Sequence, residues 1–313
     1  MAFVRVPGNE PPEGAEEHWL EGRGGVRLRV LTAPGSGNRP RGSVIVAPGR
    51  TEFIEKYFEV LRELQGRGFA VFCIDWRGQG LSGREVQNPL KGHLHSFDDP
   101  VNDLATALRM LAGKLPRPHI CLAHSMGGCI VLRALQTRRI ELDAAVLTAP
   151  MFGILGLGSL AKRYVRFMNS LGAGGQFAPN VQTKWTRENF KRNPVTHDPE
   201  RHARCQGLIA EEPALALAGP TIGWVAAAAD ATEGFLQPAG LAHLKLPITV
   251  LTAGQEQLVD NKAQEAVCEL LPDCTHLTIA GAKHEILMET DDIRAQFWAA
   301  FDDLADRVAP RAQ

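Results

Sequence analysis

The sequence predicts an α/β protein, a mostly parallel sheet with helices on both faces and one helical insertion. Two features carry this. Short apolar runs that suit buried strands alternate with segments whose apolar residues recur at helical spacing, and this rhythm breaks only between Met151 and about Gly240.

The elements follow in order. GVRLRVLTAP (25–34) alternates apolar and charged side chains, as a half-buried strand does, and GSVIVAPG (42–49) reads as a fully buried one, so the sheet begins antiparallel and becomes parallel. Phe53, Ile54, Tyr57, Phe58, Leu61 and Leu64 then mark a helix closed by Gly66 and Gly68. FAVFCIDW (69–76) is the next strand, RGQGLSG (77–83) a glycine-rich loop, and Val101, Leu104, Leu108, Leu111 and Leu115 a second helix face. HICLAHS (119–125) is a strand followed by a helix to about Arg139, and DAAVLTAP (143–150) is another strand. After the break come PITVLTAG (247–254), the helix KAQEAVCELL (262–271), the strand CTHLTIAG (274–281) and a closing helix through Ile293, Phe297, Phe301, Leu304 and Val308.

A chain of 313 residues suits one large domain with an insertion. Residues 1–150 and 241–313 are expected to form the core. Residues 151–240 are expected to form a helical cap over the carboxyl ends of the strands, where such sheets place their sites.

With 34 basic and 35 acidic residues the net charge is −1, which argues against a nucleic-acid partner. No apolar run approaches a bilayer span, and the opening MAFVRVPGNEPPEGAEE has no apolar core of a signal peptide, so a cytoplasmic location is expected. The six cysteines contain no C-x-x-C pair and are expected to be reduced packing residues. His93, His95, Asp98 and Asp99 in GHLHSFDD have a spacing that can seat an ion, but no further ligand set follows. That segment reads instead as a helix entry capped by Ser96 or Asp98, and neither metal nor cofactor is assigned.

Ser125 stands where a strand runs into a helix, with small residues around it in Ala123-His124-Ser125-Met126-Gly127. That is the form of a nucleophile elbow, with Ala in place of the first Gly of G-x-S-x-G. It leaves the Met126 backbone N–H at the start of the helix, where negative charge is favoured. A second oxyanion donor is expected from the loop after VIVAPG, the main chain of Arg50. The Arg50 guanidinium is then free for a structural pair or for an anionic substrate group.

A serine nucleophile needs a base, and the base needs an acid. His284 follows the last strand, in the order Ser, acid, His of this fold type. The loop after PITVLTAG offers Glu256 and Asp260. Glu256 is favoured because it lies nearer the strand end, while Asp260 precedes a helix it could cap. Asp260 remains the rival acid.

The segments VIVAPGRTEFIEKY, DWRGQGLSGR, AHSMGG, VDN and GAKHEILME occur in that order, and with them the chain resembles an α/β-hydrolase of the serine-hydrolase branch. More narrowly it resembles the bacterial lysophospholipase and monoacylglycerol lipase group, through GR-x-E followed by Lys56-Tyr57 and through D-x-RGQG-x-SGR. In that group the acid is commonly Asp in D-x-x-V-D, which aligns Glu256 with the catalytic acid and Asp260 with the trailing one. Pro48 in place of the His of "HG", Ala123 for Gly and Glu256 for Asp depart from the pattern.

The resemblance implies a serine carboxylester hydrolase that forms an acyl-enzyme on lysophospholipids or monoacylglycerols, with peripheral contact to the inner membrane through the cap. Phe152, Leu155, Leu157, Phe167 and Met168 are expected to line an acyl tunnel. The same residues would serve a small-ester hydrolase, a thioesterase or a peptidase. A non-catalytic binding protein of this fold would be favoured by loss of Ser, His or the oxyanion loop, and none is lost.

Overall fold

The computed structural model describes residues 3–37, 39–237 and 240–311. Eight strands form one sheet: β1 (Glu16–Glu21), β2 (Arg27–Ala33), β3 (Gly42–Ala47), β4 (Phe69–Asp75), β5 (His119–His124), β6 (Ala144–Thr148), β7 (Ile248–Ala253) and β8 (Cys274–Ile279). Their order is β1-β2-β4-β3-β5-β6-β7-β8. β2 pairs antiparallel with β1 and β4, and every later pairing is parallel. The expected change from antiparallel to parallel therefore falls at β4.

The helices are α1 (Phe58–Gly66), α2 (Asp98–Met110), α3 (Met126–Gln136), α4 (Ser159–Ser170), α5 (Pro199–Glu211), α6 (Ile222–Phe235), α7 (Asn261–Leu270) and α8 (Asp291–Val308). From β3 the chain crosses through α1 to β4 on one side, then returns through α2 to β5 on the other. Because such crossovers are right-handed, the reversal puts α1 and α2 on opposite faces. It also makes the carboxyl ends of β3 and β5 the topological switch point, where a crevice opens. Gly49-Arg50 leaves β3 there, and Ser125 leaves β5.

Salt bridges fasten each layer. Asp302 of α8 meets Arg67 beyond α1 at 2.9 Å, and Glu63 of α1 also pairs with Arg294 of α8. On the other face Arg133 of α3 holds Asp98 of α2 at 2.6 Å. Glu59 of α1 gathers Arg201 and Arg204 of α5, at 2.6 and 2.7 Å. Burial alone would raise the Glu59 carboxyl, but these guanidiniums and Arg294 hold it down to about 2. The insertion is thus anchored to the sheet layer by charge as well as by packing.

Between Thr148 and Ile248 the described residues contain helices and turns but no named strand. α5 opens on an Asp198 cap with Pro199 at its first position, and α6 opens on Thr221, whose hydroxyl accepts from the Trp224 N–H at 3.1 Å.

Three expectations need correction. Cys268 and Cys274 are joined in a disulfide with Cα atoms 5.5 Å apart, because the tight turn after α7 returns β8 beside the helix end. Cys73, Cys121, Cys129 and Cys205 are free thiols. The helix after Ser125 ends at Gln136 rather than near Arg139. Arg138, at φ 55°, takes the left-handed closing position usually signalled by glycine, and the Arg139 N–H returns to the Ala134 carbonyl at 2.8 Å.

The residues expected to line an acyl tunnel are not gathered in one place. Phe152 is buried against Phe235 at 5.4 Å, Met168 packs beside Val165 and Ile222, and Leu155 and Phe167 are exposed. Phe152 joins the main core, and Met168 packs on the insertion's own small core of Val165, Ile222 and Ala226.

Candidate functional site

The site is assembled from the carboxyl ends of four parallel strands. Ser125 ends β5 with φ 49° and ψ −115°, a backbone conformation that L residues rarely adopt. Its N–H donates to the Thr148 carbonyl at 3.0 Å, and its carbonyl accepts from Met151 at 2.9 Å, which ties the turn to the end of β6. Gly127 lets α3 start close against β3, since a Cβ there would stand 2.1 Å from the Ala47 carbonyl oxygen. Ala123, in place of the more usual glycine, is an ordinary residue of β5 paired with Ala47 and Leu147.

His284 follows β8 and is buried. Its Nε2 lies 2.9 Å from Ser125 Oγ and its Nδ1 2.7 Å from Glu256 Oε2. The other carboxylate oxygen, Oε1, accepts the N–H groups of Gln257, Leu258 and Val259 at 2.9, 2.7 and 3.3 Å. Burial raises the Glu256 carboxyl, but the bond to His284 and the backbone donors outweigh it and the net shift is downward. An ionised carboxylate there requires a proton on Nδ1 and leaves Nε2 as the acceptor facing the hydroxyl.

Asp260 caps α7 instead, with Oδ1 accepting from the Lys262 N–H at 2.9 Å. The two acids in the loop are thus separated by local geometry.

The loop after β3 is held from several sides. Glu52 Oε2 accepts the Gly49 N–H and the Tyr57 hydroxyl, the latter at 2.6 Å. Gln79 donates to the carbonyls of Gly49 and Glu52 at 2.7 and 3.2 Å, and the Trp76 indole donates to Pro48 at 2.8 Å. Asp75 accepts from Ile54 and Leu81 at 2.8 and 2.9 Å, and Gly80 is required because a Cβ would collide with that carboxylate. The glycine-rich segment is therefore the clamp on the loop that carries Arg50. Met126 is the first residue of α3, where a backbone N–H has no partner within the helix.

Sequence reasoning missed the buried charges behind this loop. Lys56 Nζ bridges Glu52 at 2.9 Å and Glu285, the neighbour of His284, at 2.6 Å. Burial would raise the Glu52 carboxyl, but Lys56 and His124 hold it at about 2. Only the local motif GR-x-E with Lys56-Tyr57 hinted at this group. His124 turns away from the serine: its Nδ1 meets the Thr148 carbonyl at 3.1 Å, and burial pushes its pKa down to about 4.

The other singled-out residues are engaged elsewhere. His93 Nδ1 meets Thr221 Oγ1 at 2.8 Å, while Asp98 and Asp99 face Arg133 and Arg23. Among the described residues, no group of three or more His, Cys, Asp or Glu side chains is arranged to hold a metal. Ser96 Oγ accepts the Asp98 N–H at 3.1 Å at the entry to α2.

A family model described as serine aminopeptidase, S33, matches residues 38–291. The chain belongs to that family. It is a hydrolase, and its relatives fall where the motifs put it. Lysophospholipase L2 of Escherichia coli (strain K12) is 37% identical over 276 residues, covering 84% of this chain and 80% of that protein. A monoacylglycerol lipase of Mycolicibacterium smegmatis is 29% identical over 285 residues, covering 88% and 92%. Among solved structures, a thermostable carboxyl esterase from Bacillus coagulans in complex with glycerol superposes with a TM-score of 0.74 at 18% identity, over 95% of this chain and 99% of that one. This last likeness establishes the α/β-hydrolase fold.

The geometry makes the two acids separable in solution. Glu256→Gln is expected to lower kcat on a p-nitrophenyl ester by roughly 10³- to 10⁴-fold, as loss of the correct histidine tautomer does elsewhere, with the melting temperature little changed. Asp260→Asn should stay near wild type, since Asn caps a helix equally well. The reverse order of effects would assign the acid to Asp260.

Proposed function

We propose that the protein is a serine carboxylester hydrolase that works through an acyl-enzyme on single-chain lipids, lysophospholipids or monoacylglycerols. The observation that carries this reading is the continuous hydrogen-bonded line from Ser125 Oγ through His284 to Glu256 at the switch point of the sheet.

In this mechanism His284 Nε2 takes the Ser125 hydroxyl proton as Oγ attacks the ester carbonyl. Glu256 stabilises the imidazolium that forms. The N–H groups of Met126 and Arg50 receive the negative oxygen of the tetrahedral intermediate, where fixed donors contribute most. The imidazolium then protonates the departing alkoxide, leaving an acyl-Ser125. Water, deprotonated by the same Nε2, releases the acid and restores the enzyme.

Residues 151–240 act as a cap on the core formed by 1–150 and 241–313. On α4 Leu160, Tyr164 and Phe167 are exposed, as is Leu171 just beyond it, while Lys162 and Arg166 pair with Glu233 and Asp230 of α6. An exposed apolar helix face suits the boundary of a membrane, which supports peripheral contact through the cap. No helix among the described residues is long and apolar enough to cross a membrane. The cytoplasmic face of the inner membrane is the proposed location. The Cys268–Cys274 bridge weighs against it, since disulfides are uncommon in reducing compartments.

A second reading, a small-ester hydrolase, is favoured by one observation. The cavity beside the site, about 360 Å³, has Arg50, Lys56, Glu188 and Arg201 in its wall and none of the five residues expected to line an acyl tunnel.

Chain length decides between them. The kcat/KM for p-nitrophenyl esters is expected to rise from acetate toward longer chains, and Ser125→Ala to lower kcat by a factor on the order of 10⁶. A steady fall from acetate onward would select the small-ester reading. The membrane contact has its own check: the protein should co-sediment with phosphatidylglycerol vesicles, and Leu160→Glu with Phe167→Glu should abolish this, whereas unchanged sedimentation would remove α4 from the interface.

A further inference from the structure

The same cavity holds an unbalanced charge. Its wall includes Arg50, Leu258 and Glu285, which adjoin the oxyanion loop, the candidate acid and the candidate base. Two of its cations are already neutralised: Lys56 by Glu52 and Glu285, and Arg201 by Glu59, Asp198 and Asp291. The acids in the wall are Glu285, which Lys56 takes, and Glu188, which lies 3.7 Å from His202.

Arg50 differs. Among the described residues it has no carboxylate partner. One Nη donates to the Ala218 carbonyl at 2.6 Å, and Nε is buried with no hydrogen-bond partner. Burial with no counter-charge lowers its pKa to about 10, still far enough above neutrality to keep the cation. On the same wall His202 is 8% exposed, and its Nε2, buried with no hydrogen-bond partner, lies 3.7 Å from Glu188 Oε2. The Arg50 Nε–H is an orphaned donor, and because leaving it unpaired is unfavourable it marks a place for an acceptor.

The fold also makes room for the guanidinium where it lies. A Cβ on Gly92 would stand 2.7 Å from Arg50 Nη2, so the guanidinium packs directly on that glycine, and the guanidinium carbon sits 5.5 Å from the centre of the Trp224 ring. With its main-chain N–H in the oxyanion role proposed above, Arg50 carries a cation one side chain away from the reacting ester. In a lysophospholipid the glycerol backbone sets a similar reach between the ester and the phosphate. A monoacylglycerol has no anion at that place.

We propose that the Arg50 guanidinium recognises the phosphodiester of a lysophospholipid head group and makes this cavity the head-group subsite. This rests on the ester-hydrolase reading above and selects among its substrates. Arg50 would add to binding through a charge-assisted hydrogen bond in a partly desolvated site, and no bond is made or broken at it.

The test compares kcat/KM for a lysophosphatidylcholine and a monoacylglycerol of the same acyl chain, in wild type, Arg50→Gln and Arg50→Lys. Whatever a substitution does through the loop affects both substrates and cancels in their ratio. The lysophospholipid-to-monoacylglycerol ratio is expected to fall about tenfold or more in Arg50→Gln and less in Arg50→Lys. An unchanged ratio would overturn the proposal and leave Arg50 as a strap to Ala218.

A second measurement needs no variant. Glycerophosphocholine should inhibit wild-type hydrolysis of p-nitrophenyl butyrate competitively and at lower concentration than glycerol does, and equal inhibition by the two would overturn the proposal as well. If wild type cleaves neutral esters but fails these comparisons, only the head-group subsite falls. If wild type cleaves no ester at all, the hydrolase reading falls and takes the subsite with it.

Discussion

The strained turn at Ser125 is the constraint on which the rest of the site depends. A non-glycine residue at φ 49°, ψ −115° is unfavourable by about 1–3 kcal/mol, and it persists only where the surroundings over-determine it. Here they do. The Ser125 N–H and carbonyl are both tied to the segment around the end of β6, Gly127 lets α3 press onto β3, and Gly128 faces Pro150, whose Cβ would be 2.7 Å from an added Cβ. The turn is the consequence of packing a helix start into the gap between two parallel strands. It exposes one hydroxyl to one imidazole.

Around that turn the molecule spends buried charge on holding a loop still. Glu52, Lys56, Tyr57 and Glu285 link the loop after β3 to the residue following His284, so the proposed oxyanion donor and the proposed base share one network. Such a network is weak evidence for stability, because desolvation offsets much of the attraction. Its physical value is positional. A preorganised donor need not move as charge develops on the substrate, and that is the condition under which fixed dipoles help most.

What was legible in the sequence was what is local. Buried strands and amphipathic helices are written in windows of a few residues, and so are the small residues flanking Ser125, the position of His284 after the last strand, and the closeness of Glu256 to the end of β7. The edge strand β1, Glu16–Glu21, was not found: EEHWLE offers too little apolar alternation, because only Leu20 of the six is buried. The Lys56 to Glu285 pair joins residues far apart in the chain, and no periodicity announces it. The bridge between Cys268 and Cys274 depends on a turn that brings a helix end back to a strand start. The five apolar insertion residues failed as a group for a related reason, since helical spacing shows that a face is apolar and not what covers it.

The central claim is that Ser125 is the activated nucleophile, and covalent labelling tests it most directly. The protein would be treated with a fluorophosphonate, digested, and the modified peptide located by mass spectrometry, in wild type, Ser125→Ala and His284→Ala. The account predicts a single adduct on Ser125 in wild type, none in Ser125→Ala, and labelling slowed by orders of magnitude in His284→Ala. An adduct on another residue, or labelling of Ser125→Ala at the wild-type rate, would contradict it.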